Sequence, residues 1–195
     1  MHEPRKPRKL KKQPTIYLIG FMASGKSTIG KLLARRLRLT WIDLDSVIEK
    51  REGATIPEIF ALRGERFFRK SEAEALENIQ ADAGFRGAVI SVGGGAPCSS
   101  ENLSLMKRTG LVIYIKVRAR ELLRRIGTGH SRPVFMSMKQ EGNTRRKLKT
   151  LLKTREPFYN QAHITIRNSR KRDPGEIVED ITRKVAAGWT PPQYR

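Results

Sequence analysis

A chain of 195 residues fits one folded domain with short tails and can bury a core without disulfides or a structural metal. Its single cysteine, Cys98, cannot form an intramolecular disulfide. No apolar run approaches the roughly 20 residues of a membrane span, and the N-terminus lacks the apolar stretch of a signal peptide, so the cytoplasm is the expected compartment. Forty Lys and Arg against 19 Asp and Glu give a formal charge of +21, which attracts anions generally and does not choose between phosphorylated metabolites and nucleic acid.

Met1 to Pro14 carries six bases, one acid and three prolines, and is expected to be a disordered basic tail. Without it the body is still about +16, by subtraction of those six bases and one acid. From Thr15 onward, short β-branched runs alternate with longer helical patterns, which predicts an α/β fold of three layers, a parallel sheet between helices. Strand is expected at Thr15 to Ile19, helix at Ser27 to Leu37, strand at Thr40 to Asp43, and helices at Asp45 to Arg51 and Pro57 to Ala83. Strand follows at Val89 to Val92, helix at Ser100 to Arg108, strand at Leu111 to Lys116 and helix at Ala119 to Ile126. Gly127 to Asn143 lacks apolar periodicity and reads as a lid; helix at Thr144 to Ala162, strand at His163 to Arg167 and helix at Pro174 to Val185 complete a domain over 15–186, with 187–195 as a C-terminal tail.

Gly20-Phe21-Met22-Ala23-Ser24-Gly25-Lys26-Ser27-Thr28 matches the phosphate-loop pattern G-x-x-x-x-G-K-[ST] between a strand and an amphipathic helix. Backbone amides from Ala23 to Thr28 would cradle phosphates at the positive end of a helix, Lys26 would reach the β and γ oxygens, and Ser27 would ligate Mg²⁺. ATP or GTP binding follows, but not the identity of a second substrate. Asp43 and Asp45 sit where ligands collect at the C-terminal ends of parallel strands, so that one could serve Mg²⁺ through water while the other faces an acceptor hydroxyl. Either could instead cap the next helix. Arg69 and Glu72 share a helical face at i, i+3, so the acid can orient the guanidinium toward a ligand. Ser91-Val92-Gly93-Gly94-Gly95-Ala96 runs a strand into bare backbone that permits a close-lying ligand, or simply a sharp turn. Arg132-Pro133 lies in the lid, and Arg155 within Thr154-Arg155-Glu156-Pro157-Phe158-Tyr159 is a further candidate for holding an anion.

The ordered set GFMASGKST, DLD, GERFFRKSE, SVGGGA, SRP and TREPFY resembles the shikimate kinase family over about residues 15 to 186. The resemblance implies ATP-dependent phosphorylation of the shikimate 3-hydroxyl, a step toward chorismate and the aromatic amino acids. It implies one Mg²⁺ supported by Ser27 and Asp43, and Asp45 as the residue that holds the substrate hydroxyls and is the candidate base. It further implies Arg69 and Arg155 on the carboxylate, Gly93, Gly94 and Gly95 against the substrate, and Arg132 on the transferring phosphate. Arg125 and Arg172 correspond to the family's adenine-flanking arginines, with Arg124, Arg170 and Lys171 beside them. A monomer acting on ATP and shikimate, with no membrane partner, is the expected form. The departures are Ala23 in place of a phosphate-loop glycine, Trp41 before Ile42-Asp43, and the basic tail. Two other readings stay open: a kinase of the same architecture for gluconate or a nucleotide-like acceptor, and a nucleic-acid-binding protein on a nucleotide-binding scaffold, its support being the tail and the net charge.

Overall fold

The computed structural model describes residues 15–82, 87–126 and 143–186. The expected basic tail, residues 127–142 of the expected lid with Arg132, and the C-terminal tail lie outside these residues. Among the described residues, five strands form one sheet: β1 (Thr15–Ile19), β2 (Thr40–Asp43), β3 (Ala88–Ser91), β4 (Gly110–Lys116) and β5 (Ile164–Arg167). All pair in parallel, in the order β2-β3-β1-β4-β5. The helices are α1 (Lys26–Leu37), α2 (Leu44–Glu52), α3 (Ile56–Ala81), α4 (Ser100–Thr109), α5 (Ala119–Ile126), α6 (Thr144–Tyr159) and α7 (Pro174–Ala186).

Every residue of β1 and β3 is buried, as expected for central strands of a parallel sheet covered on both faces. Their alternation sorts the core into two layers. Ile16 and Leu18 join Ile29 and Leu33 of α1 and Ile177 and Ile181 of α7 on one face. Tyr17 and Ile19 join Leu44 and Ile48 of α2, Phe68 and Leu76 of α3, Met106 of α4 and Tyr159 of α6 on the other. All strands run the same way, so their C-terminal ends open on one edge, where ligands bind in such sheets. No helix among the described residues is long and apolar enough to cross a membrane.

The expected elements are present, with boundaries that coincide or shift by up to three residues. Three differences bear on the site. Strand β2 ends at Asp43 and α2 starts at Leu44, so Asp45 lies in the first turn of a helix and not on a continuing strand; Asp43 caps α2, its carboxylate accepting from Asp45 N at 3.2 Å. Helix α3 is bent at Gly64, whose φ of 76° and ψ of 171° are open to glycine and strained for other residues. The bend separates the capped first part, with Thr55 and Glu58 in a reciprocal capping box, from the part carrying Arg69 and Glu72. Helix α6 ends at Tyr159, beyond which Gln161 N and Ala162 N donate to the carbonyls of Phe158 and Tyr159 in tight turns.

Candidate active site

Strand β1 delivers the phosphate loop to the C-terminal edge of the sheet. Lys26, only 8% exposed, turns its ammonium back over the loop and donates to the carbonyls of Gly20 and Phe21, at 2.9 Å each. Ser24 N closes the turn onto Phe21 O at 3.2 Å. Ala23 takes a left-handed φ of 58°, which for an L residue costs about 1–2 kcal/mol. The loop therefore keeps its shape with alanine where the family pattern has glycine, at some conformational expense. Two side chains from the far side of the cleft clamp it: Asn168 Nδ2 donates to Ser24 O at 2.8 Å, and Arg125 Nη1 to Ala23 O at 3.4 Å. Arg125 is braced by Glu121 at 3.0 Å. Hydrogen bonds from Arg124 and then Arg125 hold the Glu121 carboxyl down to about 2, so this brace stays ionised at neutral pH.

A cleft in front of the loop is lined by Ala23, Gly25, Lys26, Ser27 and Thr28 on one side. Asp43, Asp45, Ser91, Val92, Arg124 and Arg125 complete it. Ser27 Oγ donates to Asp43 Oδ2 at 2.9 Å, which places a hydroxyl and a carboxylate together at the loop mouth. Asp43 thus caps α2 with one oxygen and meets the phosphate loop with the other.

A second cavity lies behind the first. Its polar wall is Asp45, Arg69, Glu72 and Arg155, its backbone wall Gly93 to Gly95, and its apolar floor Met22, Ile56, Phe60 and Phe68. Asp45 is the side chain the two cavities share. Arg69 is held by Glu72 at 2.5 Å and Glu65 at 2.7 Å, and Arg155 lies with its guanidinium 5.7 Å from the ring centre of Phe21. The glycines leave room for these side chains where they lie: a Cβ on Gly93 would stand 2.7 Å from Glu72 Oε1 and 2.8 Å from Asp45 Oδ1, and one on Gly95 would displace the Arg69 guanidinium. Tyr159 OH fixes this wall by donating to Gly94 O at 2.5 Å.

Most of the expected site residues converge here. Ser24 is buried beneath the loop and does not line either cavity. Arg172 lines neither, being tied instead to Arg167 O at 3.1 Å and paired with Asp180. Asn168 was not expected; its only signal is its place just beyond the C-terminal end of β5. Glu72 was expected merely to orient Arg69, yet it is the most enclosed acid of the site, with 2% of its side chain exposed.

Burial raises the Glu72 carboxyl to about 6, against the downward pull of Arg69. A carboxyl raised in the folded state adds stability that is complete below its unfolded value and lost as pH rises through its folded one. The window is pH ~4.5 to ~6, and the linked change is roughly 2 kcal/mol. The melting temperature of the wild type relative to Glu72→Gln is therefore expected to fall across that window and level off above it. A difference independent of pH would mean that Glu72 titrates as an ordinary carboxyl.

A family model described as shikimate kinase matches residues 22–186. The chain is 42% identical over 172 residues to a shikimate kinase of Moorella thermoacetica, covering 88% of this chain and 94% of that one. It is 39% identical over 170 residues to one from a Sulfurihydrogenibium species, with 87% and 96% covered. The solved shikimate kinase of Acinetobacter baumannii in complex with shikimate superposes with a TM-score of 0.81 at 34% identity, over 90% of this chain and 94% of that one. With a phosphate loop, two arginines and a glycine wall arranged around one shared aspartate, the chain belongs to the shikimate kinase family.

Proposed function

We propose that this chain transfers the γ-phosphoryl group of ATP to the 3-hydroxyl of shikimate, a step of aromatic amino-acid biosynthesis, with the residues of the two cavities in the following roles. The observation that carries the reading is Asp45, one carboxylate standing between a phosphate-loop cleft and a pocket with two arginines. ATP lies along the first cleft, its phosphates on the loop amides and Lys26, and its adenine toward Arg125. Shikimate lies in the second, its carboxylate between Arg69 and Arg155 and its ring against Gly93, Gly94 and Gly95. This puts a hydroxyl near Asp45, which orients it and takes its proton as the oxygen attacks the γ-phosphorus and ADP departs.

Ser27 and Asp43 offer hard oxygen donors 2.9 Å apart at the loop mouth, the donor type that suits Mg²⁺ held by one or two side chains together with phosphate oxygens. Bound there, Mg²⁺ would supply charge neutralisation to the phosphates. Lys26 shares that task, and Arg132, by its place in the family motif, is assigned to the transferring group. Arg172 is left without a role at adenine, since its guanidinium is engaged with Asp180 and backbone carbonyls.

A coupled ADP-release assay with Mg-ATP tests the reading at the level of the acceptor. Shikimate is expected to stimulate turnover far above background hydrolysis, and gluconate and AMP are not. Faster turnover with gluconate or AMP than with shikimate would remove the proposed acceptor while leaving the nucleotide site standing.

A further inference from the structure

We infer that Trp41, which lines neither cavity, is a positioning residue for the nucleotide half of the reaction, acting through Ser91 on the first turn of α1. This rests on the reading of the phosphate loop as the ATP site. Trp41 and Asp43 lie two apart on β2 and so emerge on the same face of the strand, the face that meets α1. Asp43 meets Ser27 directly. Trp41 meets the neighbouring residue through a relay: its Nε1–H donates to Ser91 Oγ at 3.1 Å, and the Ser91 hydroxyl donates to the carbonyl of Lys26 at 3.2 Å. Ser91 is 3% exposed, so the half of the relay that reaches Lys26 is buried, and the half that reaches Trp41 is partly buried.

The fit is tight enough to restrict the facing helix. A Cβ on Gly30 would stand 2.7 Å from both Ser91 Oγ and Trp41 Nε1, so the indole and the helix approach more closely than any other residue at position 30 would allow. Lys31 covers the outer ring face, its Nζ 4.6 Å from the ring centre. β2 is an edge strand of the sheet, pairing among the described residues with β3 alone. It carries Asp43, and the indole is what ties its outer face to the helix that starts with Lys26 and Ser27. Loosening that tie lets Asp43 and Ser27 drift apart, and with them the oxygen pair proposed for Mg-ATP.

The test compares wild type, Trp41→Phe, Ser91→Ala and the double variant by calorimetric titration with Mg-ADP and by steady-state kinetics. Trp41→Phe keeps an aromatic ring and removes the donor. It is expected to weaken Mg-ADP binding and raise KM for Mg-ATP about 3- to 10-fold, the size of one lost buried hydrogen bond, with KM for shikimate unchanged. The double variant is expected to be no worse than the worse single one, because both break the same relay. Unchanged Mg-ADP affinity in Trp41→Phe, a rise in both Michaelis constants together, or effects that multiply in the double variant would each overturn the inference. Should Trp41→Phe not fold, Ser91→Ala alone decides: its affinity for Mg-ADP must fall while shikimate binding holds. Failure of wild type to bind Mg-ADP would remove the underlying nucleotide reading, an outcome distinct from equal binding by wild type and variant.

Discussion

Replacing Lys26 by methionine is expected to lower turnover about 10²- to 10³-fold at saturating ATP and shikimate, the loss typical of deleting one group aimed at charge that develops in the transition state. Lys26 is 8% exposed and lies across the mouth of its own loop, with its ammonium on the carbonyls of Gly20 and Phe21. An ammonium held there by backbone oxygens is positioned before the nucleotide arrives, so little reorganisation is needed when phosphate oxygens come within reach. Methionine matches the length and fills the space without the charge. The two carbonyls also lose a donor, so a lower melting temperature is expected as well, and turnover is to be measured well below it. A folded Lys26→Met variant that retains more than a tenth of wild-type turnover would show that the ammonium shapes the loop without sharing the chemistry.

The second large effect separates binding from turnover. Arg155→Ala removes the charge-assisted contact proposed for the shikimate carboxylate before and during the reaction, so KM for shikimate is expected to rise about 10- to 100-fold with a smaller change in kcat. Arg69→Ala should act similarly but also strip the buried Glu72 of its partner at 2.5 Å, so it is expected to lose more stability than Arg155→Ala. Arg132→Ala is expected to spare shikimate binding and lower kcat, by ~10²-fold, because the role proposed for its cation is to meet charge only on the group in flight. Calorimetric titration of shikimate beside steady-state kinetics tells these cases apart. Arg155→Ala with unchanged shikimate affinity, or Arg132→Ala that loses shikimate affinity and keeps kcat, would exchange the proposed roles.

Much of the architecture was legible because the periodicities are clean. β1 and β4 read as continuous apolar runs since parallel central strands are buried on both faces, and α1 read as a helix from Ile29, Leu32, Leu33 and Leu37. The phosphate loop was legible for a local reason: strand, glycines, lysine and helix are contiguous, so one stretch of sequence contains the whole geometry. The second cavity is assembled from α2, α3, the loop after β3, and α6, whose proximity no local pattern encodes; resemblance to a family, not spacing, brought Asp45, Arg69 and Arg155 together.

What the sequence hid has physical causes. The relation of Asp43 to Asp45 depends on where β2 stops, a boundary set by one capping hydrogen bond. The bend at Gly64 depends on a backbone conformation that a lone glycine within a helical pattern permits without announcing. Asn168 and Trp41 act through contacts with residues 144 and 50 positions away, Ser24 and Ser91, which neither composition nor periodicity reveals. Arg172 and Arg125 look alike in sequence as arginines near the adenine side, yet different neighbours, Asp180 for one and Glu121 for the other, turn them to different places.

The central claim is a statement about which bond forms, and phosphorus–proton correlation NMR of the product reads that bond. After incubation of the enzyme with Mg-ATP and shikimate, the account predicts equimolar ADP and a single new phosphate ester whose phosphorus couples to the ring proton at the carbon bearing the 3-hydroxyl. Coupling to a different ring proton, or ADP accompanied only by inorganic phosphate, would contradict it.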